Sequence, residues 1–349
     1  MRGEYTYKEI LSQPEVWKLT LDGFRQQIPV FDIMHNSLPA KVIFTGCGST
    51  YYLSLSAARL FQSLTGVPSV ACPGSELLFF PDLYEERSKK TLVVAVSRSG
   101  ETTETIRAIE RIRKLDNHRV MVITCYPESK LAGLSDFLVS IPDAQEVSVA
   151  QTRSFSSMTV IAECLAGYLA GQEVLPILGQ LPNSVRYLLD KYEPIAKQLG
   201  EDLSLDRFFF LGSGFNYGIA CEAMLKMKEM SISHSEAYHM MEFRHGPMSM
   251  VNENALVVGL ISESTRQWDI AVLKHMHQLG GRILAITEQI SPEMEGWSFQ
   301  VEINSGLPDW ARTILYLPVL QLMAYYRSYC KGLDPDRPTN LDAVVKLNL

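Results

Sequence analysis

The second half of this 349-residue sequence resembles the first half at a nearly constant offset. Gly46 in KVIFTGCGSTY corresponds to Gly212 in RFFFLGSGFNY, and Leu92 in TLVVAVSRSGET corresponds to Leu256 in ALVVGLISESTR. A third pair of segments, RVMVITCYPESKLAG and RILAITEQISPEMEG, follows in the same order. Self-similarity at a fixed spacing is the signature of a duplicated structural unit. The chain is therefore predicted to contain two copies of one domain.

Each copy alternates short apolar segments with amphipathic ones. The apolar segments have four to six residues rich in Val and Ile and end at Gly or Ser, which predicts strands, and residues 103–114 have the pattern of a helix. This alternation favours a three-layer αβα domain around a mostly parallel sheet. We predict one such domain with leading helices in 1–180, and a second in 181–349 whose C-terminal tail covers the active site. Ligands of such sheets lie beyond the carboxyl ends of the strands.

Composition and charge exclude several classes of protein. A formal net charge of −7 without a basic run argues against nucleic acid or an acidic membrane as the main partner. The N-terminus lacks the apolar core of a signal peptide, and the most apolar late stretch is interrupted by Pro318 and Gln321. Six cysteines without a CxxC pair suit reduced thiols. We expect a cytoplasmic protein without a membrane span.

The strongest local motif is the hexapeptide SRSGET, which follows a predicted strand and precedes a predicted helix. The hydroxyls of Ser97, Ser99 and Thr102 and the backbone N–H groups meet at a helix N-terminus, where unpaired donors and the helix dipole attract phosphate. Arg98 adds positive charge. The alternative interpretation is that Ser99 and Thr102 only cap the helix.

A second hydroxyl-rich loop, GCGSTY, follows the first predicted strand and is by itself ordinary turn chemistry. The two loops in adjacent strand–helix units resemble the SIS (sugar isomerase) family, and the resemblance extends over nearly the whole chain. The chain is most similar to the isomerase half of glucosamine-6-phosphate synthase and to its relatives without a glutaminase half. The resemblance implies two tandem SIS domains, each with a central, mostly parallel five-stranded sheet. It also implies that Ser97, Ser99 and Thr102 bind the sugar phosphate while Ser49 and Thr50 contact phosphate or sugar hydroxyls.

A third segment, EVSVAQTRSF at 146–155, is similar to the family stretch E-x-x-V-A-x-T-K-x-F, with Arg153 in place of the usual lysine. The resemblance implies that this loop lines the sugar through Val149 and Gln151. Without the family context, a helix start capped around Thr152 explains the pattern equally well.

Lys226 and Glu229 are three residues apart within an otherwise apolar segment, so they share one face of a predicted helix. A partly desolvated carboxylate suits proton transfer, whereas the alternative is an ordinary exposed ion pair. The resemblance implies that Glu229 carries the proton between C1 and C2 of the sugar, and that Lys226 is its neighbouring lysine.

The segment EFRHGP at 242–247 resembles the family motif E-x-[KR]-H-G-P, whose histidine opens the sugar ring. Imidazole suits that step because its pKa lies near neutrality. In relatives this histidine reaches the neighbouring subunit's site, so for His245 the resemblance implies a homodimer. A metal site formed by His234, Glu236, His239 and His245 is disfavoured, because HExxH spacing is absent and the family needs no metal. No metal and no cofactor are expected.

Two departures from the synthase narrow the predicted activity. The sequence begins with a helix and has no cysteine after Met1, so we expect no glutamine-dependent synthesis. Ala343 stands where the synthase tail carries its lysine, and Lys346 lies three residues further on. We predict a deaminase or isomerase that converts glucosamine 6-phosphate or galactosamine 6-phosphate to a ketose 6-phosphate and ammonia. The alternatives are a fructosamine-6-phosphate deglycase and a non-catalytic sugar-phosphate sensor.

Overall fold

The computed structural model describes residues 2–35, 38–84, 89–345 and 347. The chain divides into two compact units, here called the N-terminal unit and the C-terminal unit. Their residues are 15–146, 151–179 and 342–349 for the N-terminal unit, and 1–14, 147–150 and 180–341 for the C-terminal unit. Three short segments therefore do not follow the predicted division at residue 180.

A five-stranded sheet forms the centre of the N-terminal unit. Its strands are β1 (Lys41–Gly46), β2 (Ser69–Pro73), β3 (Thr91–Val96), β4 (His118–Thr124) and β5 (Phe137–Ser140). They lie in the order β2-β1-β3-β4-β5, and each neighbouring pair is parallel. Every residue of the central strand β3 is buried, since its Leu, Val and Ala side chains face helices on both sides of the sheet.

Helices cover both faces of this sheet. They are α2 (Gln13–His35), α3 (Ser49–Thr65), α4 (Gly74–Phe79), α5 (Thr103–Ile112), α6 (Arg153–Leu169) and α7 (Val174–Leu178), with α1 (Glu4–Leu11) preceding them in the C-terminal unit. Ile43 belongs to the core cluster that includes Ile106 and Ile109 of α5. The next residue, Phe44, faces the opposite side and packs on Phe61 of α3, with ring centroids 5.9 Å apart. This alternation is the period of two expected for a strand buried on both faces.

The C-terminal unit repeats this architecture. Its strands are β6 (Arg207–Gly212), β7 (His234–His239), β8 (Ala255–Leu260), β9 (Arg282–Thr287) and β10 (Phe299–Glu302), and its later helices are α8 (Leu181–Glu201), α9 (Asn216–Ser231), α10 (Arg266–Gln278) and α11 (Pro318–Cys330). The order β7-β6-β8-β9-β10 matches that of the first sheet, and all neighbours are again parallel. The predicted fold class, two αβα domains with parallel five-stranded sheets, is confirmed.

Specific hydrogen bonds hold the segments that depart from the division at 180. Asp336 accepts from the backbone N–H and the hydroxyl of Thr6, both at 2.7 Å, which fixes α1 in the C-terminal unit. In the N-terminal unit, the tail carbonyl of Val345 accepts from the Thr103 N–H at 3.4 Å. None of the helices formed by the described residues is both long and apolar enough to cross a bilayer.

Candidate functional site

The loop at 97–102, here called the first loop, connects the end of β3 to the start of α5. Its backbone conformation requires glycine at position 100. Gly100 has φ of 66°, and a Cβ atom there would lie 1.9 Å from the Ser129 hydroxyl oxygen. A side chain at this position would be excluded by both sterics and backbone strain.

The hydroxyls of the first loop are arranged around the N-terminus of α5. Ser97 Oγ accepts from the Gly100 N–H and Ser99 Oγ accepts from the Glu101 N–H, both at 3.1 Å. Thr102 is the residue before the helix, yet its side chain makes no capping hydrogen bond to the described residues. Helix capping therefore does not account for Thr102, and a hydroxyl left at a helix N-terminus suits an anionic ligand.

Arg98 does not extend from the first loop into solvent. Its side chain is 8% exposed and pairs with Glu146 at 3.5 Å, while Nη2 donates to the Ala343 carbonyl at 3.1 Å. Glu146 also accepts from the backbone N–H and hydroxyl of Thr152, both at 2.7 Å, and from the Ser154 hydroxyl. The positive charge of Arg98 is therefore compensated within the protein, and a phosphate contact by Arg98 stays a prediction.

The loop that follows β1 lies at the same sheet edge as the first loop, because β1 and β3 are parallel neighbours. Cys47 in this loop contacts the helix that follows the first loop, because its Sγ lies 3.5 Å from the hydroxyl of Thr105 on α5. Thr50 Oγ1 donates to the Cys47 carbonyl at 2.9 Å and accepts from the Cys47 N–H at 3.0 Å. The Thr50 hydroxyl therefore holds the turn closed, while Ser49, which is 5% exposed, begins α3.

Glu9, a residue that no sequence motif indicates, fixes the segment around Val149. Glu9 is 3% exposed, accepts from the Val147 N–H at 2.6 Å and also binds the Ser148 hydroxyl. The Val149 N–H donates to the Asp336 carbonyl at 3.0 Å. A single glutamate in a short helix carries no sequence signal for such a long-range contact.

Lys226 is enclosed on α9 between two carboxylates. Its side chain is 0% exposed, with Nζ 3.1 Å from Glu222 and 2.5 Å from Glu229. Burial by itself would lower the pKa of Lys226, but the charges of Glu222 and Glu229 outweigh it and hold the pKa above the ordinary lysine value. Lys226 is therefore a buried cation. Glu222, which sequence analysis overlooked, could have been found from its i,i+4 spacing to Lys226.

Glu229 is the partly accessible member of this cluster. Its side chain is 19% exposed, whereas those of Glu222 and Lys226 are fully buried. An exposed surface ion pair, the alternative interpretation, does not describe this arrangement. A carboxylate oriented by a fixed ammonium group and still open on one side can accept and return a proton.

His245 follows a short turn at Glu242–Arg244 and precedes Gly246, whose φ is 122°. Its side chain is exposed on the C-terminal unit. His239 stacks on Tyr217, with ring centroids 3.8 Å apart, and Glu236 accepts from the Tyr238 hydroxyl. In the part of the chain that the structure describes, these residues form no group of three or more that could hold a metal ion.

The predicted site residues are distributed over both units. Those in the N-terminal unit are Ser49, Thr50, Ser97, Arg98, Ser99, Thr102 and Gln151, and those in the C-terminal unit are Val149, Lys226, Glu229 and His245. Gln151 accepts from the Ser154 hydroxyl at 3.5 Å. Lys346, the nearest replacement for a tail lysine, lies outside the described residues.

Comparison with known proteins gives matches over nearly the whole chain. Glutamine–fructose-6-phosphate aminotransferase of Sulfurisphaera tokodaii is 30% identical over 98% of this chain, which spans 56% of that protein. Glucosamine-6-phosphate deaminase of Thermotoga maritima is 28% identical with a TM-score of 0.82, covering 99% of this chain and 100% of that one. The C-terminal domain of the Francisella tularensis glucosamine-fructose-6-phosphate aminotransferase is 25% identical with a TM-score of 0.82, covering 96% and 98%.

The model of the SIS domain matches twice, at residues 39–167 and 204–326. These two segments contain the two parallel sheets, including the first loop and α9. Together they cover more than half of the chain. The chain therefore belongs to the SIS domain family.

Proposed function

We propose that this protein deaminates an amino-sugar 6-phosphate, glucosamine 6-phosphate or galactosamine 6-phosphate, by moving a proton between C2 and C1. The observation that carries the proposal is the α9 cluster, in which the buried Lys226 cation orients the partly exposed Glu229 carboxylate. The match to the Thermotoga maritima deaminase over the full length of both chains supports the same choice.

The first loop provides the phosphate site. Hydroxyls and backbone N–H groups at the start of α5 bind the 6-phosphate, with Ser97, Ser99 and Thr102 as the contacting residues. Ser49 adds a hydroxyl from the neighbouring loop, and Val149 and Gln151 line the sugar. Binding energy from a phosphate remote from C1 and C2 then holds the reacting carbons in place.

Glu229 carries out the proton transfer on the open-chain sugar. It removes the proton from C2, so that the electron pair forms a C1–C2 double bond while the C1 carbonyl oxygen takes up a proton from solvent and becomes an enol hydroxyl. It then returns its proton to C1, and the C2 amino group releases a proton to solvent as the C2–N double bond forms, which leaves a C1 hydroxymethyl group and an imine at C2. Water adds to this imine and ammonia leaves, giving the ketose 6-phosphate. The sequence is redox-neutral and consumes one water.

His245 opens the sugar ring. Its exposed position and the resemblance to relatives in which this histidine serves the neighbouring subunit lead us to propose a homodimer as the functional unit. Imidazole gives and takes a proton near neutral pH, as ring opening requires.

The test measures ammonia and ketose 6-phosphate after incubation of the protein with each of the two amino-sugar phosphates. We expect one ammonia per ketose, and a decrease of about 10²–10⁴-fold in Glu229→Gln. Glu295→Gln, which removes an exposed carboxylate elsewhere in the same unit, serves as the control and should keep full activity. Unchanged turnover in Glu229→Gln would exclude the assigned role.

The alternatives predict other products. A deglycase would release an amine from fructosamine 6-phosphate but no ammonia from either amino sugar. A sensor would bind amino-sugar phosphate without converting it, and Glu229→Gln would then change neither product formation nor binding. Absence of ammonia with both amino sugars would reject the deaminase proposal.

A further inference from the structure

The duplication places a copy of the first loop in the C-terminal unit. β3 and β8 hold the same central place in their sheets, and each leads into a loop and a helix, α5 or α10. The Ser97 N–H donates to the carbonyl at the end of β4 at 3.1 Å, and the Ile261 N–H makes the equivalent bond to β9 at 2.9 Å. Residues 261–265, here called the second loop, therefore correspond to the start of the first loop, with an apolar side chain where Ser97 stands.

A carboxylate of the chain itself already occupies the donors of the second loop. Asp309 accepts from the Ser262 hydroxyl at 2.7 Å, from the Glu263 N–H at 3.2 Å and from the Ser264 N–H at 3.1 Å. The guanidinium of Arg312, which is 3% exposed, donates to the same carboxylate at 2.6 Å. Two consecutive backbone N–H groups, a hydroxyl and an arginine are the donors with which proteins bind a phosphate.

A second buried carboxylate lies in the first turn of α10. Asp269 is 0% exposed and accepts from the Thr265 hydroxyl at 2.7 Å, the Ser262 N–H at 3.3 Å and the Ser213 hydroxyl at 3.1 Å. Its negative charge opposes the entry of a further anion. Two carboxylates of the chain itself, those of Asp309 and Asp269, therefore already accept hydrogen bonds from the second loop.

The equivalent carboxylate of the N-terminal unit is placed differently. Glu146 binds the Arg98 guanidinium and the hydroxyls of Thr152 and Ser154. The first-loop hydroxyls of Ser97 and Ser99 instead accept from N–H groups of the loop itself. The Asp309 carboxylate thus accepts hydrogen bonds from the second loop. At the first loop, the neutral carbonyl of Val345 accepts from the N–H of Thr103 at the start of α5.

We propose that Asp309 is an internal substitute for phosphate, which converts the second loop from an anion site into a structural anchor and leaves one phosphate site per chain. The proposal depends on the proposed function only for the assignment of the first loop as that one site. It concerns inorganic phosphate as well as phosphosugars, since both present the same oxygen atoms to the loop.

The first experiment replaces the internal anion by an external one. We expect Asp309→Ala to unfold at a lower temperature than the wild type in chloride buffer, and phosphate to reverse part of this loss. At a phosphate concentration of roughly ten dissociation constants, the Tm of Asp309→Ala should rise by about 3 °C more than that of the wild type. An equal phosphate response in both proteins would overturn the proposal.

The matched control is Asp202→Ala. Asp202 also accepts from a serine N–H and hydroxyl, those of Ser204, and pairs with an arginine, Arg282, but it does not lie at a helix N-terminus after a central strand. The Tm of Asp202→Ala should be lower than that of the wild type in chloride buffer, and phosphate should raise it no more than it raises the Tm of the wild type. An equal gain in this control would show general charge compensation and would contradict the proposal.

A second experiment leaves Asp309 in place. Calorimetric titration of Glu229→Gln, in which turnover is suppressed, with glucosamine 6-phosphate should give one equivalent bound per chain, and the further changes Ser99→Ala and Thr102→Ala should abolish it. Two equivalents, or one that survives these further changes, would overturn the proposal. If the wild type binds no sugar phosphate, the proposed function fails, whereas the phosphate response of Asp309→Ala still decides the role of Asp309.

Discussion

Lys226 and its two carboxylates concentrate buried charge on α9. A buried ion pair contributes little in comparison with a well-packed apolar pair, but removal of one partner leaves a charge without compensation. Loss of Lys226 would destabilise the charged form of Glu222 more than that of Glu229, because the Glu222 side chain is fully buried whereas Glu229 retains contact with solvent.

Replacement of Lys226 by methionine tests this account. We expect Lys226→Met to lower the free energy of unfolding by about 3–5 kcal/mol, since the variant buries the Glu222 carboxylate without its cation. Urea denaturation measures the change. Addition of Glu222→Gln should recover part of the loss, and a single variant as stable as the wild type would contradict the prediction.

Gly100 offers a second prediction at this scale. Gly100→Ala should distort the first loop and weaken binding of the sugar phosphate, because its Cβ would collide with Ser129 and its φ is positive. The cost in unfolding free energy should be about 1–3 kcal/mol. Gly133→Ala in the same unit is the control, since a Cβ there meets nothing within 4 Å. Equal sugar-phosphate affinity in the two variants, measured by calorimetry, would argue against the loop's role.

At the scale of the element, the first turn of α10 carries a titratable group that depends on its surroundings. Burial raises the pKa of Asp269 to about 6, although hydrogen bonds from Thr265, Ser262 and Ser213 oppose the change and the nearby Asp309 adds to it. The folded protein therefore binds a proton at Asp269 more tightly than the unfolded chain does, so the associated stability is present at low pH and is lost as the pH rises through about 6.

Asp269→Asn should remove this pH dependence. The stability of the wild type relative to the variant should fall by about 2.5 kcal/mol between roughly pH 4 and pH 7.5. Urea unfolding of both proteins across this range measures the difference, in which the other titrating groups cancel. A difference that stays constant with pH would refute the predicted shift.

At the scale of the whole molecule, the proposed contribution of His245 to a neighbouring subunit can be tested by mixing. Glu229→Gln and His245→Ala should each be inactive alone. After unfolding and joint refolding in equal amounts, half of the dimers contain both chains, and each of these has one intact site. We expect about a quarter of the wild-type activity. Measured activity no higher than that of either variant alone would place His245 in the site of its own chain.

The sequence by itself determined the features that depend on local spacing. A period of two or of 3.6 residues places strand and helix faces irrespective of the rest of the chain, so the parallel sheets and the shared face of Lys226 and Glu229 were predictable. The duplication was predictable because the two halves of the sequence match at a nearly constant offset. The order of strand, glycine-containing loop and helix likewise located the first loop. The position of Glu222 on α9 belongs to this category, although it was overlooked.

Only the tertiary structure decided which groups from distant parts of the chain meet. Glu146 reaches Arg98, Asp309 fills the second loop, and Glu9 holds Ser148 across 138 residues of intervening sequence. The first two contacts arise because parallel strands bring their carboxyl ends to one edge, where loops of different origin converge. The two loops of similar sequence pattern thus have different surroundings. The Asp309 carboxylate accepts directly from N–H groups of the second loop, whereas Glu146 pairs with the Arg98 side chain of the first loop.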